Sequence, residues 1–160
     1  MSFRCQKLGE QIVAIVDASS GNMQLVNTET NQTRPLSITT PEIEVGRAAV
    51  KAHMDRWYAL PAAYKVNRTP ANLTVVYATA ADSQGRLYLA IGSHKVSEGA
   101  PVARIDQAGS VTGRFRFSVA GATGTQPTDT QPFAPYAMAV IANQLFVTDG
   151  HGRVVVHQLP

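Results

Sequence analysis

Val13-Ala14-Ile15-Val16-Asp17, a short loop, and Met23-Gln24-Leu25-Val26-Asn27 form the stretch whose reading decides the fold. An apolar strand ends in a small or acidic residue, and a second apolar strand leads into a polar turn. The unit recurs as Leu87-Tyr88-Leu89-Ala90-Ile91-Gly92 followed by Val102-Ala103-Arg104-Ile105-Asp106. It recurs again as Leu145-Phe146-Val147-Thr148-Asp149 followed by Arg153-Val154-Val155-Val156-His157. A repeated antiparallel unit that cannot bury its own faces must stack on its neighbours. Three copies therefore predict an all-β body of stacked sheets.

Working outward, Phe3–Leu8 reads as a short strand, and a strand near Thr33–Ile38 follows the polar turn at Thr28–Gln32. The period then changes. Thr40-Pro41-Glu42 is a helix start, with Thr as N-cap, Pro in the first turn and an acid beside it. Ile43, Val50, Met54 and Trp57 fall near one side of that helix, and Pro61 stops it. Gly46 weakens it by about 1 kcal/mol relative to Ala. Pro41–Ala59 is thus the one substantial helix, whose apolar stripe is expected to cover a sheet and bury Trp57. It is read as an insertion at 41–59 within a single β domain spanning 1–160.

β signals resume at Leu73–Ala80, turn at Asp82-Ser83-Gln84-Gly85, and return over Arg86–Ser93. Val102–Asp106 and Val111–Val119 form the next hairpin. Phe115 and Phe117 share one face there, and Arg114 and Arg116 the other, as in a half-buried strand. Gly121–Pro135 reads as a flexible loop. Tyr136–Ile141, Gln144–Asp149 and Arg153–Leu159 close the chain.

A length of 160 residues suits one domain with a real core, and 44% hydrophobic with 16% charged residues describes a globular chain. The net charge of +3 has no cluster behind it: Arg47, Lys51, Arg56, Arg114 and Arg116 are scattered singly or in pairs, without the dense basic stripe that nucleic acid requires. A lone Cys5 excludes an internal disulfide and a thiolate zinc cluster. No apolar run reaches the roughly 18 residues of a membrane span. Residues 1–8 lack the apolar core of a signal peptide, so a cytoplasmic location is expected. Neither a phosphate-binding Gly-rich loop with Lys nor a Gly-x-Ser-x-Gly elbow is present.

Pro135-Tyr136-Ala137-Met138-Ala139-Val140, then Gln144-Leu145-Phe146-Val147-Thr148-Asp149, then Arg153-Val154-Val155-Val156, resembles a blade of six-bladed β-propellers of the NHL-repeat or lactonase-like kind. Leu73–Val119 resembles a complete four-stranded blade, and residues 11–38 three strands of another. The resemblance implies about three antiparallel, propeller-like blades over two thirds of the chain. It departs in spacing: 75 residues separate Asp17 from Gly92 and 57 separate Gly92 from Asp149, against ~40–50 in common blades. Three blades do not close a ring of 4–8. Dimerisation to six blades, a piece of a larger propeller, and an open β-sandwich are the alternatives. The third unit ends one strand short, and Phe3–Leu8 is expected to supply the missing outer strand, in this chain or a neighbour.

His94 and His151 lie two residues beyond the repeat-equivalent positions Gly92 and Asp149. With Asp17 and Asp149 they form the candidate ligand-binding set, on loops at one face of the blades. Carboxylate and imidazole together could hold a divalent metal or act as base and acid. Asp at a turn also serves its own backbone, and no metal-spaced His or Cys pair is present. His53 is expected on the polar side of the helix and His157 in packing. The resulting expectation is a non-enzymatic binding or assembly module without cofactor or metal, self-associating and taking a small-molecule or protein ligand. The alternative is a small metal-dependent, lactonase-like hydrolase, weakened because Gly92 stands where the other repeats carry Asp.

Overall fold

A computed structural model describes residues 2–68, 73–92, 100–124, 128 and 133–160. Eleven described strands form three antiparallel sheets, none closed into a barrel. Sheet 1 holds β1 (Phe3–Lys7), β2 (Ile12–Asp17), β3 (Met23–Asn27) and β4 (Thr33–Leu36). Sheet 2 holds β5 (Val76–Ala81), β6 (Leu87–Ile91), β7 (Pro101–Ile105) and β8 (Val111–Arg116). Sheet 3 holds β9 (Pro135–Ile141), β10 (Gln144–Asp149) and β11 (Val154–Gln158). Within each sheet the strands pair in chain order. Between sheets, β5 lies beside β1 and beside β9, so the first strands are neighbours.

The repeat thus marks the second and third strands of each sheet. The N-terminal strand corrects the expectation made for it. β1 pairs with β2, Phe3 opposite Asp17 and Lys7 opposite Val13, and so completes sheet 1 rather than sheet 3. Its pairing is dictated by the tight connection at Leu8–Gln11, where the Leu8 amide donates to the Ile12 carbonyl at 2.8 Å.

Two cores separate the sheets. Ala14, Val16, Met23 and Leu25 of sheet 1 pack with Leu87, Leu89, Ile91, Ala103 and Ile105 of sheet 2. Tyr88, Val102 and Phe117 pack from the opposite side with Leu145, Val147 and Val155 of sheet 3. Every residue of β6 is consequently buried, whereas along β2 and β10 burial alternates between the core side and the outward side. Phe115 and Phe117 turn inward and Arg114 and Arg116 outward, as their alternation predicts. The Gly121–Pro135 segment lies partly outside the described residues; at its ends Ala122 and Phe133 are buried, and Phe133 meets Phe117 edge-on at 5.7 Å.

The connection from sheet 1 to sheet 2 carries α1 (Pro41–Ala59) and a four-residue α2 (Ala62–Lys65). The Thr40 hydroxyl accepts from the Ile43 amide at 3.2 Å, capping α1 as its sequence predicts. The helix is fastened by its first half. Ile43 is fully buried, Arg47 Nε donates to the Ser20 carbonyl at 2.6 Å, and Glu42 pairs with Arg114 of β8 at 2.6 Å. Val50, Met54 and Trp57 are only partly buried, so the stripe does not form the continuous cover expected of it. The apolar spacing is genuine, but of the stripe only Ile43, in the first turn, is fully buried. Gly46 also acquires a reason: a Cβ there would lie 3.0 Å from Val75 Cγ1. Gly46→Val is expected to lower stability by about 1–3 kcal/mol through overpacking. Val45→Ala, at a position 70% exposed, should change it by no more than about 0.5 kcal/mol. Urea unfolding of the two variants checks the contrast.

Candidate functional site

Asp17, Gly92 and Asp149 each end the second strand of their sheet, so the repeat equivalence corresponds to one end of the stacked sheets. The Asp17 turn docks onto the next sheet there: the amides of Val75 and Val76 donate to the Ala18 carbonyl at 2.7 and 3.0 Å. His94 lies outside the described residues.

The carboxylates at this end serve their own turns. Asp17 Oδ1 accepts from the Ser19 amide at 2.9 Å and the Ser19 hydroxyl at 2.6 Å, and Oδ2 from the Ser20 hydroxyl at 2.8 Å. Asp149 Oδ1 accepts from the His151 and Arg153 amides at 2.9 and 3.0 Å. Its Oδ2 is ion-paired with the Arg153 guanidinium, and both side chains are essentially sealed from solvent. Burial pushes the Asp149 carboxyl up, but the Arg153 side chain, the two amides and the guanidinium charge outweigh it and hold it below its ordinary value. For Asp17, burial likewise raises, and the hydrogen bonds of Ser19 and Ser20 more than offset it.

The same arrangement appears at the opposite end. Asp82 accepts from the Gln84 and Arg86 amides, from Arg86 Nε at 2.6 Å and from the Tyr88 hydroxyl at 3.0 Å. Asp82-x-x-Gly85-Arg86 and Asp149-x-x-Gly152-Arg153 are one device, and Asp106-x-x-Gly109-Ser110 is its version without the arginine. Each glycine sits at positive φ, from 73° to 93°, which closes the turn and aims the next amide at the carboxylate. This spacing was legible in the sequence but crosses the repeat, because Asp82 follows a first strand and Asp149 a second.

The structure gathers a different set around Asp149. A cavity of about 280 Å³ opens between the first strands, lined by Arg4 of β1, by Thr74 and Tyr77, by Tyr136 of β9, and by Asp149 and His151 of the turn. His151 is exposed, and its amide rather than its ring supports Asp149. Asp17 lines instead a groove of about 820 Å³ on the outward face of sheet 1, with Phe3, Cys5, Ile15, Gln24 and Pro35. Thus Asp149 and His151 share a cavity, and Asp17 is not part of it. Among the described residues no three His, Cys, Asp or Glu side chains are grouped as a metal site. His157 stacks on Phe115 across the second core, ring centroids 5.0 Å apart and planes 6° from parallel, and its burial lowers its pKa.

No protein-family model matches the chain, and no curated protein matches it.

Two outcomes follow from this chemistry. Asp149→Ala strands the buried Arg153 charge and is expected to cost about 3–5 kcal/mol in chemical denaturation. Stability should also fall in two steps as pH drops. His157 is held below its ordinary 6.5, so just below that pH the unfolded chain takes up a proton first and stability starts to decline. Asp17, Asp82 and Asp149 are held below 3.8, so their contribution persists above that pH and is lost beneath it. His157→Gln should remove the upper step and keep the lower one in urea midpoints measured from pH 8 to pH 3.

Proposed function

We propose that this chain is a non-enzymatic binding or assembly module of three propeller-like blades, and that two copies associate to bring six blades together. The observation that carries this reading is the pair of faces left open at the two ends of the stack. On sheet 3 the outward positions are Ala137, Ala139, Ile141, Gln144, Phe146, Thr148, Val154, Val156 and Gln158, without a single charge. Ile141 is 60% and Val156 50% exposed. On sheet 1, Phe3, Cys5, Val13, Ile15, Gln24, Val26, Thr33 and Pro35 face outward, with one charge of each sign, Lys7 and Asp17, towards opposite ends of the face, and Phe3 is 53% exposed. Apolar, charge-depleted patches of this breadth are characteristic of interfaces.

The neighbour relation among first strands supports a head-to-tail arrangement. β1, β5 and β9 follow one another, and the same relation carried past β9 sets the β1 of a second copy there. Both open faces are then covered by the packing already used inside the chain.

Light scattering at micromolar concentration is expected to give twice the chain mass, and a strict monomer would defeat the association. Phe146→Glu should yield a folded monomer, since Phe146 is only partly buried within its own chain. A thermal-shift series with Ca²⁺, Mg²⁺, Mn²⁺ and Zn²⁺ is expected to leave the melting temperature unchanged. A rise with any of them would favour the metal-dependent hydrolase instead.

A further inference from the structure

We infer that the cavity between the first strands binds a small oxyanion, a carboxylate or phosphate group, through Arg4. The inference goes beyond the module reading and stands within one copy, so it does not depend on association.

Arg4 alternates with the outward-facing Phe3 and Cys5 on β1 and lines the cavity together with Thr74 and Tyr77. Its Nε is buried without a hydrogen-bond partner, and no carboxylate among the described residues pairs with it. Of the other described arginines that are not exposed, Arg47, Arg86 and Arg153 each hold a carboxylate and Arg104 bonds Thr112. The Arg4 guanidinium makes no hydrogen bond to any described residue, and its two Nη groups, which are not closed off from solvent as Nε is, remain free to make charge-assisted bonds to an anion.

The rest of the lining suits the same ligand. Asp149 is the only described carboxylate there, and it is committed to Arg153 and two turn amides, so it does not neutralise Arg4. The hydroxyls of Thr74, Tyr77 and Tyr136 make no hydrogen bond to any described residue and can donate inward. The aromatic rings of Tyr77 and Tyr136 provide an apolar wall for whatever carries the anionic group. At about 280 Å³ the space fits a compact ligand, near the lower end of small-molecule sites. The planar guanidinium fork matches a carboxylate or phosphate in two-point contact.

Isothermal titration and thermal shift at fixed ionic strength, with inorganic phosphate, acetate and benzoate as probes, test the site. At least one probe is expected to bind one to one and to raise the melting temperature. The preferred probe separates a phosphate-type from a carboxylate-type ligand, and benzoate over acetate reports the aromatic wall. Arg4→Gln should weaken that binding about tenfold or more, Arg4→Lys less, and Arg56→Gln on the exposed side of α1 not at all. Absence of binding by all three probes, or unchanged binding in Arg4→Gln, would overturn the assignment. Should Arg4→Gln fail to fold, Thr74→Val and Tyr77→Phe replace it; unchanged affinity in both overturns the assignment equally. Light scattering on the same samples reads association separately, so failure of one proposal is not mistaken for failure of the other.

Discussion

The structure depends on one constraint: the middle sheet must be covered on both faces. β6 has no exposed residue, and its alternate side chains point into two different cores. Leu87, Leu89 and Ile91 require one apolar partner sheet, and Tyr88 requires another on the opposite side. Burial of this kind contributes about 1.5–3 kcal/mol for each large apolar side chain, against about 0.5–1.5 kcal/mol net for a turn hydrogen bond. The flanking sheets therefore each surrender one face to the centre. What each keeps outward is then free to be polar, or to meet another molecule, and on both flanks the outward face carries few charges.

Polar groups in this fold are mostly absorbed by the turns. Asp17, Asp82 and Asp149 look like a constellation of acids, yet each carboxylate is engaged by amides, hydroxyls or an arginine from within a few residues. Asp82 and Asp149 each accept four such bonds and Asp17 three, and this bonding stabilises the charged form. The Asp149–Arg153 pair goes further: buried beneath Phe133 and beside the second core, it closes the turn only while both charges remain. Arg4 is the counterpart, a cation whose one described acidic neighbour in the cavity, Asp149, is already paired with Arg153.

The helix shows how a locally well-specified element can be only partly used. Thr40, Pro41, Glu42 and Glu44 assemble its N-terminus from neighbours in sequence. Its tertiary role is concentrated where Ile43, Gly46 and Arg47 cross Val75 and the Asp17 loop, and it fades along the second half.

The amino-acid sequence by itself determined the β character, the three two-strand units, the helix at Pro41–Ala59 with its cap, and the inward turn of Phe115 and Phe117. These are readable because period-2 alternation, capping chemistry and turn residues act between positions only a few residues apart. The sequence also holds the Asp-x-x-Gly-Arg turns, whose bonds are equally local, although their placement at opposite ends of the sheets hides them from the repeat. Only the tertiary structure decided the rest. β1 lies beside β5 through packing between sheets, although its pairing with β2 is set by the local turn at Leu8–Gln11. Trp57 is only partly buried, because helical spacing says which residues share a side and not what the fold packs against it. Asp17 is separated from Asp149 and His151, and Arg4 is brought beside them, because strands far apart in sequence become neighbours only when the middle sheet is covered. Pair distances set by such non-local burial leave no mark on the residues near either partner, and so no reading along the chain recovers them.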